Sequence, residues 1–236
     1  MALDFLHGIE LIEIDGGLRP IQTVRSSVIG LVGTAPDADA EAFPLDTPVL
    51  VAGNRLEAAK LDTAGDGNGT LPAAIDGIFD QAGALVVVVR VEEGVDDTAT
   101  QANVIGGVSG LDDSYEGMHA FLAAENATGV IPRVLIAPGF SQAAAVAAEL
   151  DTLTARLRAV AIVDGPNTTD ADAIAFRGTL GSDRLYLVDP WVTVGVDNSV
   201  EPPSARVAGV IARIDAERGF WWSPSNQVIN GITGTA

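Results

Sequence analysis

The chain has 236 residues, 47% of them hydrophobic but only 5% aromatic, and a mean hydropathy of +0.29. That is enough apolar material for a large domain with a core of Ala, Val, Leu and Ile, and it excludes global disorder. Thirteen Lys and Arg against 32 Asp and Glu give a net charge of −19, with Lys60 the only lysine; this excludes the clustered basic surface that nucleic-acid phosphates demand and disfavours anionic membranes.

In chain order, Met1 to Gly8 lacks the basic and apolar regions of a signal peptide. Ile9-Glu10-Leu11-Ile12-Glu13-Ile14 is a β-prone run that ends at Gly16-Gly17, and Ile21 to Val24 is a second. The first run carries a Glu on each face, which suits a sheet edge or another molecule's sheet better than a two-sided core. Residues 1–25 therefore read as an extended N-terminal arm and linker. Val28 to Val32 reads as a buried strand, residues 36–48 as a Pro-containing loop, Val49 to Ala52 as a short strand and Arg55 to Leu61 as a weak helix. Thr70 is expected to cap a helix running to about Gln81. Leu85 to Val91, with Val at 86–89, is the strongest strand. Its apolar neighbourhood, Ala84 to Val89, is the longest purely apolar run and is far too short to span a bilayer.

Residues 92–113 are acidic and Gly-rich and read as an exposed excursion. Beyond them helix and strand alternate: helices at 114–126, 141–157, 170–178 and 203–218, strands at 133–137, 159–163 and 185–188. This alternation predicts an α/β fold, a mostly parallel sheet with helices on both faces, occupying residues 26–226.

Such a sheet invites a ligand site at its strand C-terminal ends. Gly30-Leu31-Val32-Gly33 is not the dinucleotide fingerprint, and Ala58-Ala59 before Lys60 lacks the glycines of a phosphate-binding loop. Ala137-Pro138-Gly139-Phe140-Ser141 and Asp164-Gly165-Pro166-Asn167 read as βα turns, with Ser141 as an N-cap. Gly107-Val108-Ser109-Gly110 is not a nucleophile elbow. His7 and His119 are the only histidines, and with no Cys there is no thiolate nucleophile, disulfide framework or Cys-based zinc site. Asp66-Gly67-Asn68-Gly69-Thr70 resembles part of a calcium loop, but its bidentate carboxylate position falls on Gly77. No catalytic residue, cofactor or metal is assigned. Phe220-Trp221-Trp222 follows the last helix, and in an extended chain the two Trp would face opposite sides, one needing a partner or further layer.

These features resemble the contractile tail sheath proteins of temperate myophages and R-type pyocins. The likeness is carried by Phe5 to Gly17, Arg19-Pro20-Ile21, Ser26 to Pro36, Phe43 to Pro48, Val104 to Gly107, Ile136 to Phe140 and Trp221-Trp222-Ser223-Pro224-Ser225-Asn226, in that order. It implies a structural protomer, not an enzyme, that polymerises with identical subunits around a tail tube and contracts when a baseplate triggers it. It would be located in the virion tail and assembled in the host bacterial cytoplasm, without nucleic-acid binding or membrane insertion. In this family terminal extensions of neighbouring subunits add strands to a shared sheet. Ile9, Glu10, Leu11, Ile12, Glu13 and Ile14 are thus expected as the inter-subunit arm, Gly16 and Gly17 as its hinge, and Phe220, Trp221 and Trp222 as interface or domain-junction aromatics. Family members continue past the Trp-Pro-Asn box, so residues 227–236 are expected to begin a tube-facing C-terminal domain of which this chain is a truncated N-terminal portion. Trp222 is a departure, since many wider-family sheaths carry a basic residue there. The alternative is a small-molecule-binding or hydrolytic α/β domain using the turns at 137–141 and 164–168. It predicts a polar cleft converging on those turns.

Overall fold

A computed structural model describes residues 27–111 and 113–236. The strands of its main sheet are β1 (Ile29–Thr34), β2 (Val49–Ala52), β3 (Leu85–Val91), β6 (Val134–Ile136), β7 (Val160–Asp164) and β8 (Leu185–Val188). Two-residue strands β4 (Gly107–Val108) and β5 (Tyr115–Glu116) pair with each other, and β9 (Val192–Val194), β10 (Ser199–Glu201) and β11 (Ile232–Thr235) form a third sheet. The helices are α1 (Arg55–Ala58), α2 (Leu71–Phe79), α3 (Asp97–Ile105), α4 (Ala124–Thr128), α5 (Ala144–Leu157), α6 (Asp170–Thr179) and α7 (Ser204–Arg218).

The main sheet runs β2-β3-β1-β6-β7-β8, parallel throughout except for β2, which lies antiparallel on β3. β1 is central, with Ile29 opposite Val86 on one side and Val134 on the other. Successive β3 residues alternate between two cores. Val86 and Val88 face a layer containing Ile75 and Ile78 of α2 and Ala208 and Ala212 of α7; Val87, Val89 and Val91 face Val104, Met118, Phe121, Leu150 and Leu153. Helices on both faces explain why the strands are apolar at nearly every position rather than at every second one, with polar residues such as Arg90 and Asp164 near their C-terminal ends. α2 and α7 approach closely because Gly209 lies against α2: a Cβ there would sit 2.8 Å from the Ile78 carbonyl oxygen and 2.8 Å from Gln81 Cγ.

Three local expectations differ from the structure. No helix starts at residue 114. Gly117 has φ +58, and a side chain there would strike the Asn103 carbonyl, so the chain makes β5, a 3-10 segment from Gly117 to Ala123, and then α4. The acidic stretch 92–113 contains α3, because Asp96 caps it by accepting from the Ala99 amide at 2.7 Å and Val104 is fully buried. The Thr70 hydroxyl does not cap α2; it accepts from the Thr34 amide at 3.2 Å and so ties α2 to the end of β1.

Candidate functional site

The turns at 137–141 and 164–168 do converge at the strand ends, but on a sealed cluster. Ser141 is not an N-cap, since α5 starts at Ala144. Its hydroxyl instead donates to Asp164 Oδ2 at 2.8 Å and accepts from the Asp164 amide at 2.9 Å. Ser204, the first residue of α7, donates to the same carboxylate twice, from its amide to Oδ1 at 2.9 Å and from its hydroxyl to Oδ2 at 2.8 Å. All three residues are fully buried. Burial pushes the Asp164 carboxyl up to about 6, against the opposing pull of the Ser204 and Ser141 hydrogen bonds. A hydroxyl paired in this way, with no path to solvent, is not placed as a nucleophile. The arrangement clamps α7 onto the ends of β6 and β7, and the small-molecule or hydrolytic alternative loses its converging cleft.

The second constellation joins α2, α7 and the C-terminal segment. Arg206, 5% exposed, pairs with Asp80 at 3.0 Å and Glu201 at 3.1 Å, and donates to the Asn230 carbonyl at 3.1 Å. Gln81 grips the Asn230 backbone from both sides, donating to its carbonyl and accepting from its amide, each at 2.9 Å. Gly231, at φ +76, then turns the chain so that β11 runs antiparallel to β9. Except for Glu201, five residues before Arg206, these polar partners lie far apart in sequence, and sequence reasoning singles out none of them. The nearest available signal is the Asn230-Gly231 pair, a turn dipeptide.

Of the expected site residues, Ile9, Glu10, Leu11, Ile12, Glu13, Ile14, Gly16 and Gly17 lie outside the described residues. Phe220, Trp221 and Trp222 follow α7 in a tight turn closed by the Trp222 amide on the Gly219 carbonyl at 3.0 Å, so the chain is not extended there and the two rings do not face opposite sides of a strand. All three are exposed, at 63%, 74% and 49%. Phe220 and Trp221 meet edge to face at 5.3 Å, and the Arg218 guanidinium lies 5.0 Å from the centre of the Trp222 ring. Among the described residues no group of three or more His, Asp or Glu is placed to hold a metal ion, and no helix is long and apolar enough to cross a membrane.

Comparison with known proteins identifies the family. Residues 113–236 match the phage tail sheath protein central domain, and residues 26–91 match the tail sheath protein Gp18 domain III N-terminal region. The chain is 42% identical over 239 residues to a putative prophage major tail sheath protein of Pseudomonas aeruginosa (strain UCBPP-PA14), covering 99% of this chain and 60% of the relative. It is 37% identical over 241 residues to the tail sheath protein of Escherichia phage P2, covering 98% and 60%. The chain thus spans about 60% of the length of these relatives. The anti-feeding prophage helical sheath in its contracted state shares the fold, with a TM-score of 0.60 at 18% identity over 98% of this chain and 59% of that one. With its strand ends closed by its own helix and a sheath domain matched across more than half its residues, this chain belongs to the phage tail sheath proteins, a structural family and not one of enzymes.

Proposed function

We propose that the chain is the protomer of a contractile tail sheath, polymerising around a tail tube and contracting on a signal from the baseplate to drive the tube through the host envelope. The observation that carries this reading is the ordered match of two sheath domains, at residues 26–91 and 113–236, together with 42% identity to a prophage sheath protein. The closed strand ends support it: the fold presents a rigid body, and a subunit that must shift against its neighbours without unfolding needs one. The partners are identical subunits, the tube and the baseplate; the assembled location is the virion tail, after assembly in the host cytoplasm.

Within that protomer residues 1–25 are the arm and linker, 26–226 the α/β body and 227–236 the lead into a tube-facing domain, consistent with the greater length of the relatives. Ile9 to Ile14 is the strand donated to a neighbour, with Gly16 and Gly17 as its hinge. Each backbone hydrogen bond so gained contributes about 0.5–1.5 kcal/mol net. Phe220, Trp221 and Trp222 supply an aromatic face for an adjoining domain or subunit. The test is removal of residues 1–17 from the complete sheath protein, followed by electron microscopy. Loss of ordered sheath tubes is expected, and tubes indistinguishable from wild type would refute the arm.

A further inference from the structure

Charge is distributed unevenly along the strand axis. Five of the 13 basic residues, Arg133, Arg156, Arg158, Arg177 and Arg184, lie where β6, β7 and β8 begin: Arg133 and Arg184 directly precede β6 and β8, Arg156 and Arg158 close α5 ahead of β7, and Arg177 is in the last turn of α6. An open cleft of about 360 Å³ sits at this end, with an apolar floor that includes Leu122, Ile131 and Leu157 and a rim on which Arg133, Arg156 and Arg158 outnumber one carboxylate, Glu125. Arg133 is held in place by the Leu157 carbonyl. The Arg156 and Arg158 side chains are exposed and have no hydrogen-bond or ion-pair partner among the described residues.

The opposite end carries the complementary pattern. β3 finishes at Val91 and runs into Glu92-Glu93-Gly94-Val95-Asp96-Asp97. Val95 is fully exposed, and around it the exposed carboxylates of Glu92, Glu93 and Asp97 have no partner among the described residues. An apolar tip flanked by carboxylates matches an apolar floor rimmed by guanidinium groups. Because β3, β1 and β6 are parallel, loop and cleft lie at opposite ends of one sheet, about 20 Å apart along the strands.

We propose that the cleft of one subunit receives the Glu92–Asp97 loop of a second copy of this chain, Val95 lying on Leu122, Ile131 and Leu157 while Glu92, Glu93 and Asp97 face Arg133, Arg156 and Arg158. The identity of the partner rests on the sheath reading above. A contact between opposite ends is head to tail: each subunit keeps one free loop and one free cleft, so the contact propagates into a helical file and does not close into a twofold dimer. It is also strongest at low salt, where charges on the rim of an interface are least screened.

The test follows self-association by sedimentation velocity at low and high salt for the wild-type protein, for Arg156→Glu/Arg158→Glu, for the milder Arg156→Gln/Arg158→Gln and for Glu92→Arg/Glu93→Arg, with thermal melts to check that each is folded. Wild type associates at low salt and separates at high salt. Each charge-reversed protein associates roughly tenfold more weakly, and the neutralised one is intermediate. An equimolar mixture of the two charge-reversed proteins recovers association, because a basic loop now meets an acidic cleft. Folded variants that associate like wild type, a mixture that does not recover, or a wild-type protein indifferent to salt each overturn the contact. Electron microscopy of the complete sheath protein separates this from the broader reading: normal sheath tubes with the charge reversals reject the contact alone, whereas no tube from the complete wild-type protein rejects the proposed polymerising role as well.

Discussion

Replacing Asp164 by Asn should change how stability depends on pH. Asp164 is fully buried between Ser141 and Ser204, with its carboxyl raised from 3.8 to about 6, chiefly by desolvation. A carboxyl with a higher pKa in the folded state binds its proton more tightly there. Its contribution is therefore fully present below about pH 4 and is lost as the pH rises through about 6. At one pKa unit per 1.36 kcal/mol, the loss between about pH 4 and about pH 7 comes to about 2 kcal/mol. The amide side chain keeps the shape and an acceptor for the Ser204 amide but cannot ionise. The assay is urea denaturation of both proteins across this range, read as the difference in unfolding free energy so that the other carboxylates cancel. The Asp164→Asn protein should gain on wild type by about 2 kcal/mol as the pH rises from about 4 to about 7. Parallel stability curves would refute the argument that the clamp holds a buried charge at neutral pH.

Two further outcomes follow from the α2–α7 contact. Gly209→Val places a side chain against the Ile78 carbonyl and Gln81, both 2.8 Å from its Cβ, and overpacking of this kind should cost about 1–3 kcal/mol in denaturant unfolding. Arg206→Ala leaves Glu201 without its cation, Asp80 with Arg55 alone and the Asn230 carbonyl with Gln81 still donating. Losing one partner of a buried pair costs about 3–5 kcal/mol, and because both carboxylates are partly exposed here the expected loss is about 2–3 kcal/mol. Hydrogen exchange in residues 230–235 should accelerate in the same variant, whereas protection unchanged from wild type would show that Arg206 does not hold the C-terminal segment.

The main sheet is legible in the sequence because a strand buried on both faces is apolar at nearly every position. Leu85 to Val91 is placed to the residue, and α6 and α7 within one residue at each end. What escapes is set by single backbone or polar requirements. Gly117 needs a positive φ, which nothing in the apolar spacing of 114–126 announces. The β9–β10 hairpin is built on three-residue strands whose alternation is too brief to register. Ser141 reads as a cap because Ser after a strand and before a helix usually is one; its actual partner, Asp164, is 23 residues away and becomes a neighbour only once β6 and β7 pair. The same reason hides Arg206 and Asn230, whose partners Asp80 and Gln81 at the end of α2 are 126 and 149 residues distant. The exposed aromatic cluster can be read as a composition, but not its tight turn, which depends on Gly219 at φ +95.

The antiparallel seating of β11 on β9 also decides how the body would respond to being pulled. Tension applied along β11 would meet the β9 hydrogen bonds side-on, so they would be sheared together instead of opening one after another like a zip. The two bonds between Gln81 and the Asn230 backbone sit just ahead of this strand and would carry the strain onward into the paired helices of the core. Residues 230–235 would thus resist such a load at two points, the β9 pairing and the Gln81 bonds.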